Sequence, residues 1–285
     1  MAVKKARQRV AKKKPAKKPL PIAHWSHSSL MAFLRNPLVW HKRYVEKIYD
    51  TPANPSSLIG RAGHKALEHF YSGAPEEVAT RLGLEYLRGV ADLDINFGKA
   101  TSKRAQKARR ETMEADYLRA IGHYLKKPPR HQVVAVELRG TVAVEGLPLP
   151  LTAVSDLVVE SRLEMGAVDV VDHKFVEAFS KGGAGKTLFV IQALFNYYTV
   201  RELTGRPVRR FIVYECKKRT NKDGSAQLKR YVLDYATLDE EFEVFHRLIR
   251  DATTEIARER LWLPNPSDMF EGEHSFDIYR LKLIE

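Results

Sequence analysis

The spacing of apolar residues divides this chain into a helical first half and a second half that is rich in strands. After the polar segment SHSS, apolar positions at helical spacing predict two short helical pieces that are broken at Pro37. The segment LIGRAGHKALEHFY predicts a helix with an apolar stripe and an N-cap at Ser56 or Ser57. Residues 75–126 are predicted to be helical and charged.

The pattern changes to alternating β-branched residues after Pro129. Three strands are predicted in HQVVAVELRGTVAVE, PLTAVSDLVVE and AVDVVDHKF, followed by a helix in LFVIQALFNYYTVRELTG. RRFIVYECKK and AQLKRYVLDYA predict a hairpin, and a last helix runs from Thr237 or Asp239 to about Leu261. We therefore expect an α/β fold, with a central mixed β-sheet flanked by helices and a helical N-terminal part.

Composition narrows the class of protein. With 285 residues and 44% hydrophobic content, the chain can bury one sizeable core. Its one cysteine, Cys216, excludes a disulfide within the chain and an all-cysteine metal cluster. No apolar run approaches the length of a membrane span, and the N-terminus lacks a signal-type apolar segment. We expect a soluble, intracellular and cytoplasmic protein without a membrane partner.

The net charge of +13 is concentrated at the N-terminus. Residues 1–18 hold nine Lys or Arg and no acid, so the remainder carries +4. We expect a disordered basic arm at 1–20 and a folded domain at 21–285. The arm could screen nucleic-acid phosphates or serve as an address, including a nuclear one, and the sequence leaves both open. A second basic stretch at 98–111 is more typical of a solvated helix face than of a DNA contact.

Two aspartates interrupt neighbouring apolar strands. If residues 162–166 form a five-residue loop, Asp156 lies opposite Asp172, with Cβ atoms about 5 Å apart. Lys174 shares the face of Asp172, whereas His173 points to the other face. Two such close carboxylates need a cation nearby.

The Asp, Asp and Lys trio suits phosphodiester hydrolysis. Carboxylates hold Mg²⁺ or Mn²⁺, which polarises a phosphoryl oxygen and activates water, and the ammonium of Lys174 can position that water or stabilise developing charge. Zinc fits less well, because cysteine ligands and a close histidine pair are missing. An ordinary salt bridge on an exposed hairpin is the alternative, and the trio alone does not decide between the two.

Asp156, followed by VDHK at 171–174, resembles the active-site motif of the PD-(D/E)XK nucleases. Several flanking motifs resemble the RecB-like branch: SHSSLMAFLRNPLVWHKRYV, GRAGH, the glutamate-bearing strand of VAVELRGTVAVE, and VIQALFNYY. The resemblance runs in consistent order from about Ser26 to Tyr198. It implies a nuclease whose catalytic residues are Asp156, Asp172 and Lys174.

The resemblance also assigns the surrounding residues. His64 and the backbone carbonyl of His173 would be further metal ligands. The two glycines of GRAGH leave that turn of the helix thin, so a backbone or a ligand can approach it closely. Gln192 would contact DNA or orient Lys174.

Two positions depart from the pattern. The branch has a tyrosine where this chain has Asn196, so Tyr197 is the candidate DNA contact, and Ser28 lies in the matching opening segment. Iron–sulfur members of the branch carry cysteines that are missing here, so we expect no iron–sulfur cluster. Glu137 could be an extra ligand, although a salt bridge to an arginine is the preferred interpretation.

The segment SKGGAGKT at 180–187 resembles a phosphate-binding loop, but Ser180 replaces its first glycine. A P-loop NTPase is therefore a minor alternative. We favour a flap near the metal whose Lys181 and Lys186 contact DNA phosphates.

Together these features predict a metal-dependent DNA nuclease in recombination, repair or replication, most plausibly an exonuclease on single strands or duplex ends. A helicase or recombinase is a candidate partner. A catalytically weak DNA-binding subunit on the same scaffold is the main alternative.

Overall fold

The computed structural model describes residues 19–48, 52–180, 184–221, 227–258 and 260–265, with the side chains of 184–188 left out. Most of the predicted basic arm, and Lys181, therefore lie outside the described residues. Among the helices that are described, none is both long and apolar enough to cross a membrane.

The N-terminal part is mainly helical, as predicted. A two-residue strand, β1 (Trp25–Ser26), leads into α1 (His27–Arg35). Asn36 then separates α1 from α2 (Pro37–Trp40), which continues as a π-helical turn at His41–Val45. The following helices are α3 (Pro55–Tyr71), α4 (Glu76–Gly89) and α5 (Lys103–Leu125), with a 3₁₀ turn at Asp92–Asp94 between the last two.

The described strands form one mixed six-stranded sheet, in which the alternating patterns predict five of the strands and do not predict β1. The elements that follow α5 are β2 (Val133–Val142), β3 (Leu151–Glu160), β4 (Val168–Val176), α6 (Ala184–Thr204), β5 (Val208–Lys217), β6 (Leu228–Asp234), a 3₁₀ turn at Tyr235–Thr237, and α7 (Asp239–Ile256). β3 pairs antiparallel with β2 and β4, β4 pairs parallel with β5, and β5 pairs antiparallel with β6. The α6 crossover between β4 and β5 makes this pair parallel.

β3 has two different neighbours along one of its edges. β2 occupies one edge of β3 along nearly the whole length of β3, so β1 and β4 must share the opposite edge. β1 pairs with Leu151 and Thr152, and β4 pairs only with residues 157–160. The sheet therefore opens between β3 and β4 in the middle of β3, and this opening positions the candidate site.

Helices cover both faces of the sheet. α3 and α5 pack on one face against Leu157, Val171 and Ile212, and α6 packs on the other against Val158 and Val170. These residues alternate along β3 and β4, as expected for strands that are buried on both sides. A third cluster around Trp25, Trp40 and Phe195 joins the N-terminal helices to α6 and α7.

Three element boundaries differ from the sequence prediction. Asn54, not Ser56 or Ser57, caps α3, since its side chain accepts the N–H of Ser57 and Pro55 takes the first helical position. α6 begins at Ala184, before the predicted start, and α7 ends at Ile256, before Leu261.

The glycines of α3 lie in different surroundings. A Cβ at Gly63 would come within 2.2 Å of the Phe175 ring, whereas a Cβ at Gly60 would meet nothing within 4 Å. The close approach predicted for this turn is therefore made at Gly63 by the side chain of a β4 residue, which brings α3 against the strand that carries Asp172.

Candidate functional site

The Asp156 carboxylate lies where the β3–β4 ladder ends. The last paired residues are Leu157 and Val171, so the next residues in register are Asp156 and Asp172, as predicted. The backbone N–H of His173 donates to Asp156 Oδ2 over 2.8 Å. The Asp156 side chain thus accepts the N–H of His173 in place of a backbone carbonyl of β3, and this bond fixes the carboxylate between β3 and β4.

Glu137 on β2 faces Asp156 from the other side. Val136 pairs with Leu157 and Leu138 with Ser155, which sets Glu137 opposite Asp156. Its backbone has a φ of 48°, a left-handed conformation that is unfavourable for a residue other than glycine. Such strain is typical of functional sites.

Ligand atoms of His64, Glu137 and Asp156 all lie within 4.8 Å of one another, a spacing that suits a shared metal ion. No ion pair of Glu137 with an arginine occurs among the described residues, so the preferred sequence interpretation of Glu137 as a salt-bridge residue is not supported. His64, on α3, approaches Asp156 Oδ2 to 3.2 Å through Nδ1. The structure therefore brings together the predicted ligands His64 and Asp156 with Glu137, whose role as an extra ligand was the less favoured interpretation of the sequence.

Asp172 is held on the α6 side of the site and is not a member of that group of three. Its Oδ1 accepts hydrogen bonds from Lys174 Nζ (3.0 Å) and Gln192 Nε2 (2.6 Å), and its Oδ2 lies 2.9 Å from the same ammonium. Asp172 is 4% exposed. Lys174 lies on the face of Asp172, as the alternation predicts, and bonds its carboxylate, and Gln192 contacts that carboxylate rather than the lysine.

The electrostatics of the site indicate too much negative charge for the cations present. Burial raises the pKa of Asp172, and repulsion from Asp156 raises it further despite the attraction of Lys174. Burial opposes protonation of His64, but Asp156 outweighs it and raises the pKa of His64 to about 9. Burial and the Asp156 charge also raise the pKa of Glu137. Burial opposes ionisation of Asp156 too, but His64 and His173 outweigh it and hold the pKa of Asp156 well below its usual range. Asp172 and Glu137 are therefore the carboxylates that favour additional positive charge.

His173 projects to the opposite face of the sheet, as the alternation predicts. Its ring is 1% exposed and packs among Tyr71, Tyr124 and Tyr214. The side chain is therefore removed from the face of Asp172 and Lys174, while its backbone N–H holds Asp156.

The donor set fits a hard divalent cation. Carboxylate oxygens with one imidazole are suitable ligands for Mg²⁺ or Mn²⁺, whereas thiolates are missing among the described side chains near the site. The Lys174 side chain, 3.0 Å from Asp172 Oδ1, adds a group capable of general acid–base chemistry beside these carboxylates.

A family model described as the PD-(D/E)XK nuclease superfamily matches residues 24–269. The chain belongs to this superfamily. The match covers the site and every element described from β1 to α7, in agreement with the resemblance found in the sequence.

Two solved structures cover most of this superfamily member. A candidate exonuclease from Eubacterium rectale has 11% sequence identity and a TM-score of 0.50, over 88% of this chain and 94% of that chain. This likeness concerns the fold. The structure of SSO0001 has 13% identity and a TM-score of 0.28, over 80% of this chain and 82% of that chain. The search among curated proteins gave no match.

The N-terminus of α1 lies beside the site in this superfamily member. Burial, with the nearby charge of Lys174, lowers the pKa of His27 to about 4. Ser28, the predicted DNA contact, is exposed in the same turn, and its Oγ is 3.2 Å from Ser26 Oγ. The position of His27 near Lys174 could not be predicted, because a lone histidine beside serines gives no signal of its own.

α6 carries the residues that follow the Asp-X-Lys strand. Asn196, at the position where the RecB-like pattern has a tyrosine, is 2% exposed and accepts a hydrogen bond from Ser155 Oγ over 2.6 Å. Tyr197 instead contacts Tyr235 and Phe242 near α7, and is not brought into contact with the acidic residues described above. Its predicted role in DNA binding stays a prediction.

The glycine-rich segment begins at a well-defined anchor. Ser180 donates its backbone N–H to Glu215 over 2.8 Å, and its hydroxyl bonds the same carboxylate. Lys181 lies outside the described residues, as does the side chain of Lys186. The proposed contacts of both lysines with DNA phosphate stay predictions.

Proposed function

We propose that this protein is a divalent-metal-dependent DNA nuclease of the RecB-like branch, and that it acts as an exonuclease on single strands or duplex ends. The observation that carries the proposal is the Asp156, Asp172 and Lys174 arrangement at the split between β3 and β4. Its place in a PD-(D/E)XK domain, beside His64 and Glu137, supports a nuclease over an ordinary surface salt bridge.

The metal would be held by Asp156 and Asp172, with His64 and the backbone carbonyl of His173 as further ligands. Glu137 is a fifth candidate, because its carboxylate lies in the same group as His64 and Asp156. A bound Mg²⁺ or Mn²⁺ would supply Lewis acidity toward the scissile phosphate and lower the pKa of a coordinated water.

Lys174 is the group that acts on the nucleophile. Burial lowers the pKa of Lys174, but Asp172 and Asp156 outweigh it and raise this pKa above the ordinary value, so the side chain is an ammonium at neutral pH. In that state it donates hydrogen bonds, and it can position a water molecule and stabilise negative charge that develops on the phosphate. Gln192 fixes the Asp172 oxygen that accepts from Lys174, and so orients the pair.

Two observations support a preference for DNA ends. The Eubacterium rectale protein of similar fold is described as a candidate exonuclease, and the RecB-like motifs point the same way. We expect a substrate with a free end, or a helicase or recombinase that provides one.

A cleavage assay tests the proposal. Wild-type protein is incubated with labelled linear and circular DNA, single- and double-stranded, in Mg²⁺, Mn²⁺ or EDTA. We expect degradation of linear substrates in either metal, none in EDTA, and resistance of circles. Lys174→Met should lower kcat by about 10²- to 10⁴-fold, because the group that assists the water is lost.

Lys229→Met is the matched control, since this exposed lysine lies two strands away from Lys174, on β6. It should cleave like the wild type. DNA binding without cleavage in both metals would favour the catalytically weak DNA-binding subunit, and cleavage of circles would refute the end requirement.

A further inference from the structure

Behind the metal site, five polar aromatic rings form a continuous cluster on the α3 and α5 face of the sheet. They are Tyr71, Tyr124, His131, His173 and Tyr214. The His173 ring lies at its centre, stacked on Tyr71 and Tyr214 at centroid distances of 6.1 and 6.0 Å and edge-on to Tyr124 at 5.2 Å. A core of this size is usually made from Phe and Leu, so the hydroxyl and imidazole groups require an explanation.

A hydrogen-bond chain runs through this cluster to the site. The Tyr71 and Tyr124 hydroxyls are 2.5 Å apart, and the Tyr124 hydroxyl is 2.8 Å from His173 Nε2. The other ring nitrogen of His173, Nδ1, lies 3.5 Å from Asp156 Oδ2. The same Asp156 oxygen accepts the backbone N–H of His173. Ring and backbone of one residue therefore face one carboxylate oxygen.

The direction of donation along the chain follows from the charge at its end. His173 Nδ1 is buried and has no hydrogen-bond partner among the described residues, and 3.5 Å is too long for a strong bond to Asp156. The negative carboxylate nevertheless favours a proton on the nitrogen that faces it. If Nδ1 carries the proton, Nε2 of the neutral ring accepts from Tyr124, and Tyr124 in turn accepts from Tyr71.

Tyr71 and Tyr124 are suited to donate hydrogen bonds along this chain. Tyr124 is 0% exposed. Burial is the main cause that raises the pKa of Tyr71 and of Tyr124 above the ordinary value for tyrosine, so both phenols stay protonated and can donate.

We propose that Tyr124 is a positioning residue for the metal ligand Asp156, acting through the ring of His173. The hydrogen bond from Tyr124 fixes the tautomer and the rotation of the His173 ring, so that the positive edge at Nδ1–H faces Asp156 Oδ2 beside the backbone N–H that bonds it. This inference rests on the proposed function, because it assumes that Asp156 binds a metal ion. Partners that orient metal ligands in this way typically contribute about 10- to 100-fold to metal affinity.

The test compares Tyr124→Phe with Tyr117→Phe in the metal-free full-length protein, by calorimetric titration with Mn²⁺. Tyr117 is a matched control on the same helix. It is also 0% exposed, and its hydroxyl donates to the Thr80 carbonyl (2.7 Å), toward α4 and away from His173. Each variant loses one buried hydroxyl, but Tyr124→Phe removes two hydrogen bonds and Tyr117→Phe removes one, so thermal unfolding should shift further for Tyr124→Phe. Both titrations are therefore made well below the unfolding temperature of either variant.

We expect Tyr124→Phe to weaken Mn²⁺ binding by about tenfold or more, and Tyr117→Phe to stay within about twofold of the wild type. Equal affinities of Tyr124→Phe and the wild type would overturn the inference and leave the proposed function intact. Failure of the wild type itself to bind Mn²⁺ would instead refute the proposed metal site.

A second measurement does not require any variant to fold. In the assigned ¹⁵N spectrum of the wild-type histidine rings, His173 should be the neutral tautomer with its proton on Nδ1. A proton on Nε2 would mean that Tyr124 accepts rather than donates, and would overturn the proposal whatever the metal titration gives.

Discussion

β4 carries two buried aspartates, three residues apart and on opposite faces of the sheet. Asp169 is 1% exposed and Asp172 is 4% exposed. Asp169 lies on the α3 and α5 face, next to Arg210 on β5, which donates to its Oδ2 through Nε (3.1 Å) and an Nη (2.5 Å). Asp172 lies on the α6 face and is held by Lys174 and Gln192.

The two aspartates differ in how their charge is balanced. Asp169 and Arg210 form a pair of one carboxylate and one guanidinium, a geometry that suits a structural contact. Asp172 has one ammonium beside it but also feels Asp156, whose repulsion adds to the effect of burial and raises the pKa of Asp172. Burial alone therefore does not identify a functional aspartate. A buried carboxylate whose ionisation the surrounding protein disfavours is the better indicator.

Exchanging each aspartate for its amide separates the two roles, and this is the largest expected effect. Asp172→Asn should lower metal-dependent cleavage by at least about 10³-fold, because a metal ligand and the partner of Lys174 are lost together. Asp169→Asn should change cleavage by less than about threefold but lower the free energy of unfolding by about 3 kcal/mol, since it leaves the Arg210 charge unbalanced.

The stability of Asp172→Asn is the informative control. A carboxyl whose folded-state pKa is raised is ionised at a cost to the folded state at neutral pH, and a neutral amide removes that cost. Urea unfolding at pH 7 should therefore show a smaller loss for Asp172→Asn than for Asp169→Asn. If Asp172→Asn lost more stability than Asp169→Asn and still cleaved DNA, Asp172 would have the structural role that we give to Asp169.

The excess of carboxylates also predicts how metal binding depends on pH. His64 has a pKa of about 9 in the metal-free protein, because Asp156 outweighs the effect of burial, and it must lose its proton to bind a metal. Affinity for Mn²⁺ should therefore rise with pH, by about tenfold per unit between pH 6.5 and 8.5 if one proton leaves per ion. Lys174 stays protonated over this range, since its pKa is raised.

Calorimetric titrations at several pH values measure this slope. His64→Asn removes the titrating ring, so its slope should be shallower and its affinity at pH 8.5 lower than that of the wild type. An identical slope in the two proteins would exclude His64 as the group that releases the proton.

The smallest effect concerns the helix that brings His64 to the site. Gly63→Ala should lower the free energy of unfolding by about 1–3 kcal/mol, because its Cβ would lie 2.2 Å from the Phe175 ring on β4. Gly60→Ala, one turn earlier and in open space, should raise it by up to about 1 kcal/mol through helix propensity alone. Urea unfolding of both variants measures the difference, and an equal effect at the two positions would contradict the close packing of α3 on β4.

The strands and their register could be predicted because they depend on local patterns. Alternating β-branched residues and a short loop at 162–166 are enough to set Asp156 opposite Asp172. The conformation of Glu137 could not be predicted, since a positive φ in the middle of β2 has no sequence pattern and depends on how β2 meets β3.

The hydrogen bonds that orient the site residues join residues that are far apart in the sequence. Tyr124 and His173 are 49 residues apart, and nothing near either one indicates that their side chains bond. Asn196 occupies a position where the resemblance led us to expect a tyrosine, and only the packing of α6 on β3 shows its bond to Ser155. Residues with a chemical signal of their own, and Gln192 through the resemblance, were therefore predicted, whereas the bonds of Tyr124 and Asn196 that support the site were not.

A crystal structure of the protein with Mn²⁺, solved with anomalous data, tests the central claim most directly. The account predicts one strong anomalous peak at the opening between β3 and β4, within about 2.3 Å of an oxygen of Asp156 and an oxygen of Asp172, with Lys174 beside it. A Mn²⁺ ion that binds elsewhere, or that leaves Asp172 outside its coordination shell, would contradict it.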